Sequence, residues 1–145
     1  MTRIEVAREI DAPHERVWEA VSDLGSHGTW MKDAVRIVFV GDRRSGEGTR
    51  MEVVTVVGPF RLLDRMEVTG WEEGRSIEVA HQGLVKGQGR LTATPIGDRT
   101  RVRWEEDLVF PWWLGGRLTA WLARPVLARI WRGNLRRLEE TFSAL

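Results

Sequence analysis

Two side chains stand out because each falls on the apolar phase of an alternating run. Within residues 101–109, Val102, Trp104, Glu106 and Leu108 share one face of an extended chain; Arg101, Arg103, Glu105 and Asp107 share the other. A carboxylate buried on such a face can act as a general acid or base. Should the strand twist or bulge, Glu106 instead reaches solvent or pairs with an arginine. His81 repeats the pattern, in phase with Ile77 and Val79. A histidine facing a pocket shuttles protons near neutral pH; as a strand-end residue in water it does nothing. Asp64, in phase with Met66 and Val68, is a third candidate, but it lies near a strand start and is expected to be exposed.

Eight tryptophans and no tyrosine make an unusual aromatic balance. Trp30, Trp104 and Trp121 are expected to wall a pocket, with Met66, His81 and Glu106 beside them; flat indole faces suit a ring system or an acyl chain. The alternative for each is core filling. Other motifs fall away on inspection. His14-Glu15 opens an HExxH-like string, but Trp18 stands where the second zinc ligand would be. Gly46-Glu47-Gly48 and Gly87-Gln88-Gly89 lack the strand-to-helix context of a nucleotide loop. They read as a hairpin turn and as a flexible strand beside an opening. No cofactor and no metal are expected.

These residues must be positioned by elements whose periods can be read in turn. Residues 2–11 alternate as a half-buried strand, and Ala12-Pro13 then switches the period to a short helix over 13–23 carrying Val17, Val21 and Leu24. The segment 24–30 is a brief second helix or turn that plants Trp30. Strands follow at 34–40, 49–57, 60–71, 76–82, 87–94 and 101–109, separated by glycine-rich breaks such as Gly58-Pro59 and Gly97-Asp98. Seven strands joined by short connections make an antiparallel meander. After Pro111, an apolar stripe (Leu114, Leu118, Trp121/Leu122, Val126, Ile130, Leu135, Leu138, Phe142) announces a long helix, which Pro125 should kink or split near 121–125.

The chain of 145 residues fits one domain, 1–145, with ordinary globular composition. Without cysteine there is no disulfide, thiolate metal site or cysteine nucleophile. The first residues lack the apolar core of a signal peptide, and no run is long enough to span a bilayer, so a cytoplasmic location is expected. A net charge of +1 gives no reason to expect nucleic acid. The charge is uneven, however: residues 112–145 hold six arginines against two glutamates.

This order of elements implies a curved sheet closing around the last helix, an α+β helix-grip architecture with space between helix and concave face. The residues carrying it, Ala12-Pro13-His14-Glu15-Arg16-Val17-Trp18, Trp30-Met31, Gly46-Glu47-Gly48-Thr49, Thr100 through Glu105 and Leu135-Arg136-Arg137-Leu138-Glu139, resemble the START-related, birch-pollen-allergen-like (SRPBCC) superfamily. Within it the chain is most similar to the bacterial polyketide cyclase/dehydrase and lipid-transport family. The resemblance covers essentially the whole chain. It implies a hydrophobic ligand such as a polyketide, lipid, quinone or sterol, with catalysis in only some members.

Three functions follow as expectations. The first is binding or carriage of a small hydrophobic molecule. The second is an aromatase/cyclase or dehydratase using His81 or Glu106 as acid/base, with an arginine holding an enolate. The third is a peripheral membrane carrier. For the third, Phe110-Pro111-Trp112-Trp113-Leu114-Gly115-Gly116 is the relevant stretch, because tryptophan favours the bilayer interface. The competing expectation is that Trp112 and Trp113 cap the pocket as a hinge or lid. Oligomeric state is not legible.

Overall fold

The computed structural model describes residues 2–143. Strand β1 (Thr2–Ile10) leads through Ala12-Pro13 into helix α1 (His14–Ser22) and a 3-10 turn (Leu24–Thr29). Six strands follow: β2 (Ala34–Val40), β3 (Arg50–Val57), β4 (Phe60–Glu72), β5 (Ser76–Gln82), β6 (Lys86–Ile96) and β7 (Arg99–Val109). A second 3-10 turn (Trp112–Leu114) precedes helix α2 (Gly116–Ser143).

All seven strands form one antiparallel sheet in the order β1-β7-β6-β5-β4-β3-β2. From β3 onward neighbours in sequence pair through short turns, and residues 41–49 join β2 to β3; Gly97-Asp98 closes the β6–β7 hairpin with Gly97 at φ +60°, a conformation that a side chain disfavours. Only β1 pairs out of sequence, lying against β7 with Ile4 opposite Glu106 and Val6 opposite Trp104.

The C-terminal half of α2 grips the sheet. Ala128, Trp131, Leu135 and Leu138 are buried with Ile4, Val6, Val17, Val21 and Val102 in the core. Polar ties fix its angle. Buried Asn134 accepts from the Lys32 amide at 3.0 Å and donates to Asp33 at 2.7 Å; Glu139 accepts from Arg8 at 2.8 Å and from the Asp11 amide at 3.0 Å. Burial alone would raise the Glu139 pKa, but these donors outweigh it and hold the carboxyl below its usual range.

Two expectations are corrected here. Of the kink or split expected near 121–125, the split does not occur: helix α2 runs unbroken through Pro125. The stripe read from the sequence also drifts off the buried face: Leu118 and Trp121 project into water. Traced back from Leu138 in steps of helical turns, the sheet-facing line passes through Leu135, Trp131, Ala128 and Ala120 instead.

Candidate functional site

The N-terminal half of α2 stands off the concave face, and the gap is a cavity of about 720 Å³. That size lies within the range of small-molecule sites, roughly 300–1,000 Å³. Its wall is overwhelmingly apolar, with Met51, Val53, Met66 and Val79 from the sheet facing Leu122 and Leu127 from the helix.

Against this wall lies one polar cluster. The His81 Nδ1 is 2.7 Å from Asp64 Oδ2, and its Nε2 is 2.6 Å from Glu106 Oε2. The Trp104 indole N–H donates to the other Glu106 oxygen at 3.1 Å. Burial of His81 works against its charged form, but the hydrogen bonds to Asp64 and Glu106, together with their charges, outweigh it and push its pKa up to about 10. At neutral pH the ring is an imidazolium held between two carboxylates.

Sheet register explains how the three meet. His81 on β5 lies opposite Met66 on β4, and Asp64 shares the face of Met66 two residues away, a diagonal neighbour. Glu106 is two strands distant on β7, about 10 Å across the sheet. The strand between them, β6, presents Gly87 opposite His81 and Gly89 opposite Glu106. A Cβ on Gly89 would stand 2.5 Å from the Glu106 carboxylate, and one on Gly87 would collide with the Asp107 backbone. The bare Gly89 clears a lane over which His81 and Glu106 join, while Gly87, at φ +144°, admits the Asp107 carbonyl.

The aromatic residues divide differently from the sequence expectation. Trp104 lines the cavity and stacks on Trp131 with ring centroids 4.8 Å apart and planes 14° from parallel. Trp30 lies behind it, edge-on to Trp104 at 6.2 Å and only 2% exposed, a core residue rather than a wall. Trp121 is 71% exposed and does not line the cavity. Trp131 was missed, although its spacing of four from both Leu127 and Leu135 marks it as part of the buried line. Asp64, expected in water, is part of the cluster. Met66 lines the cavity as expected. The cluster's hydrogen bonds and ion pairs among the described residues include no arginine; Arg90 borders the cavity, paired with Glu78 at 3.4 Å. His27, buried and bonded to the Val21 carbonyl at 2.7 Å, has its pKa lowered by burial and adds no charge.

A sequence profile described as polyketide cyclase/dehydrase and lipid transport matches residues 1–143. The chain belongs to that family. Solved structures agree with the helix-grip architecture of this family member. A Thermus thermophilus protein is 25% identical, with a TM-score of 0.74 over 95% of this chain and 94% of that one. An aromatase/cyclase of Streptomyces sp. R1128, at 16% identity, gives 0.73 over 96% and 92%. A START superfamily protein from Mycobacterium smegmatis, at 14% identity, gives 0.69 over 98% and 94%. No curated protein sequence matches this family member.

Proposed function

We propose that the chain binds a small hydrophobic molecule, of polyketide, lipid or quinone type, in the cavity between the sheet and α2. The observation that carries this reading is the cavity itself, apolar on nearly all its wall with a single polar cluster. Shape and burial supply affinity and the cluster orients the ligand. Native mass spectrometry of the protein as purified, followed by extraction and identification of what is bound, tests it. A co-purifying hydrophobic molecule supports it; failure to bind any such molecule on titration overturns it.

A second reading is favoured by the Asp64–His81–Glu106 chain of hydrogen bonds. In a cyclase or dehydratase acting on a poly-β-ketone, Glu106 takes the proton from a methylene between carbonyls. Once Glu106 is protonated its hold on the Nε2–H of the His81 imidazolium is released, and that proton passes to the alkoxide formed when the new carbon–carbon bond closes. Wild-type cyclisation by a His81→Ala/Glu106→Ala double variant would dispose of that assignment.

Entry of such a ligand is the purpose we assign to the exposed segment above the cavity. Trp112, Trp113, Leu118 and Trp121 are 60–86% exposed and do not line the cavity, which favours an outward-facing role over a cap. Between residues 108 and 138 there is no acidic residue, while six arginines are present. Lys32, Arg129, Arg136 and Arg137 border a second concavity of about 380 Å³ farther along α2. Exposed indoles beside an arginine-rich helix fit transient contact with an anionic bilayer, from which a hydrophobic molecule would pass into the cavity. No helix among the described residues is long and apolar enough to cross a membrane.

A further inference from the structure

The polar cluster does more than orient a ligand; its proton inventory determines which head group can meet it. Two hydrogen bonds at the imidazole require two protons, shared among one histidine and two carboxyl groups. Wherever each proton sits, the trio carries a net charge of −1. Every N–H of the cluster is already committed internally: both ring nitrogens of His81 to carboxylates, and the Trp104 indole to Glu106. What remains is acceptor capacity on the carboxylates of Asp64 and Glu106, both of which line the cavity.

No counter-charge stands ready elsewhere on the wall among the described residues. Arg90 on β6 borders the cavity but is paired with Glu78 at 3.4 Å and about half exposed. Asp33, before β2, adds a further carboxylate, occupied by Asn134. His27 is held neutral by burial. Arg129, Arg136 and Arg137 of α2 border the neighbouring basic concavity, not this cluster.

We propose that the cavity selects ligands whose polar end donates hydrogen bonds, a hydroxyl, phenol or ammonium, and excludes those ending in a carboxylate. The inference rests on the reading of the cavity as a hydrophobic ligand site. A carboxylate head would bring a second negative charge against an acceptor-only surface in an apolar surround, where unpaired charge is most costly. A donor head would satisfy lone pairs that are otherwise idle. Fatty acids, the commonest amphiphiles a greasy cavity would meet, are thereby turned away without any steric filter.

The test compares three molecules with one chain and different heads: decanol, decylamine and decanoate. Each is titrated into the intact, delipidated protein by calorimetry below its micelle concentration. Decanol and decylamine are expected to bind at least about tenfold tighter than decanoate. In Glu106→Gln, which removes the charge and adds a donor, that gap is expected to shrink. Decanoate binding as tightly as decanol to the wild type would overturn the selection while leaving the cavity a ligand site. If none of the three binds, the ligand-site reading itself falls and takes the selection with it. The wild-type comparison stands alone should the variant fail to fold.

Discussion

Gly89 and Glu106 face each other across the β6–β7 ladder so closely that a methyl on the glycine would lie 2.5 Å from the carboxylate. Gly89 does not require a positive φ, and the colliding atoms are the tip of a movable side chain. Gly89→Ala should therefore fold while pushing Glu106 away from His81. The expected result, by NMR titration of the ring, is a His81 pKa lower than its wild-type value of about 10 by at least about one unit. An unchanged titration would mean that Glu106 does not depend on the lane.

His81 also ties stability to pH. Its pKa is raised from 6.5 to about 10 on folding, so the contribution is fully present below 6.5 and is lost as pH rises through about 10. Its size is on the order of a few kcal/mol at most, since burial offsets part of the pairing. Urea denaturation across that window should show the wild type losing stability while His81→Gln changes little. Parallel curves for the two proteins would contradict the ion-paired state.

Trp131 supports the site from beneath. It is 5% exposed and stacked on Trp104, whose indole holds Glu106. Trp131→Ala should cost about 3–5 kcal/mol in a denaturation midpoint experiment, as large aromatic deletions do. Trp121→Ala, at an exposed position, should stay within about 0.5 kcal/mol of the wild type.

Trp112→Ala/Trp113→Ala is expected to reduce co-sedimentation with vesicles containing phosphatidylglycerol several-fold and to leave thermal stability unchanged, because both side chains are exposed. Binding should also fall as salt rises, from screening of the arginines. If the double variant sediments like the wild type, the bilayer contact is wrong. If the wild type instead dimerises and the variant does not, a second copy is the occupant.

Strand phase was readable because alternation is local: Glu106 and His81 both face inward, as their neighbours Trp104 and Val79 foretell. Register was not. Whether Asp64 meets His81 depends on which β4 residue pairs with which on β5, and a bulge between Val68 and Gly70 shifts that ladder. The same limit hid the meaning of Gly89, whose bareness matters because it lies opposite Glu106 on the strand that separates Glu106 from His81. On α2 the apolar residues are more numerous than the sheet can cover. Their stripe therefore does not say which of Ile130 and Trp131, or Leu118 and Ala120, turns inward; the packing of the C-terminal half decides it.

The pairing of β1 with β7 has a consequence for biosynthesis. Strand β1 docks against β7 and α2, both made long after it, since Thr2 pairs with Leu108 and Arg8 bonds to Glu139. While the chain is still on the ribosome, β1 has neither neighbour, and Ile4, Val6 and Ile10 have nothing to cover them. The hairpins from β2 to β6 can assemble as they emerge, but closure must wait until α2 has cleared the exit tunnel. The newborn protein thus passes through a stage with β1 bare, the stage at which a holding chaperone would find its grip.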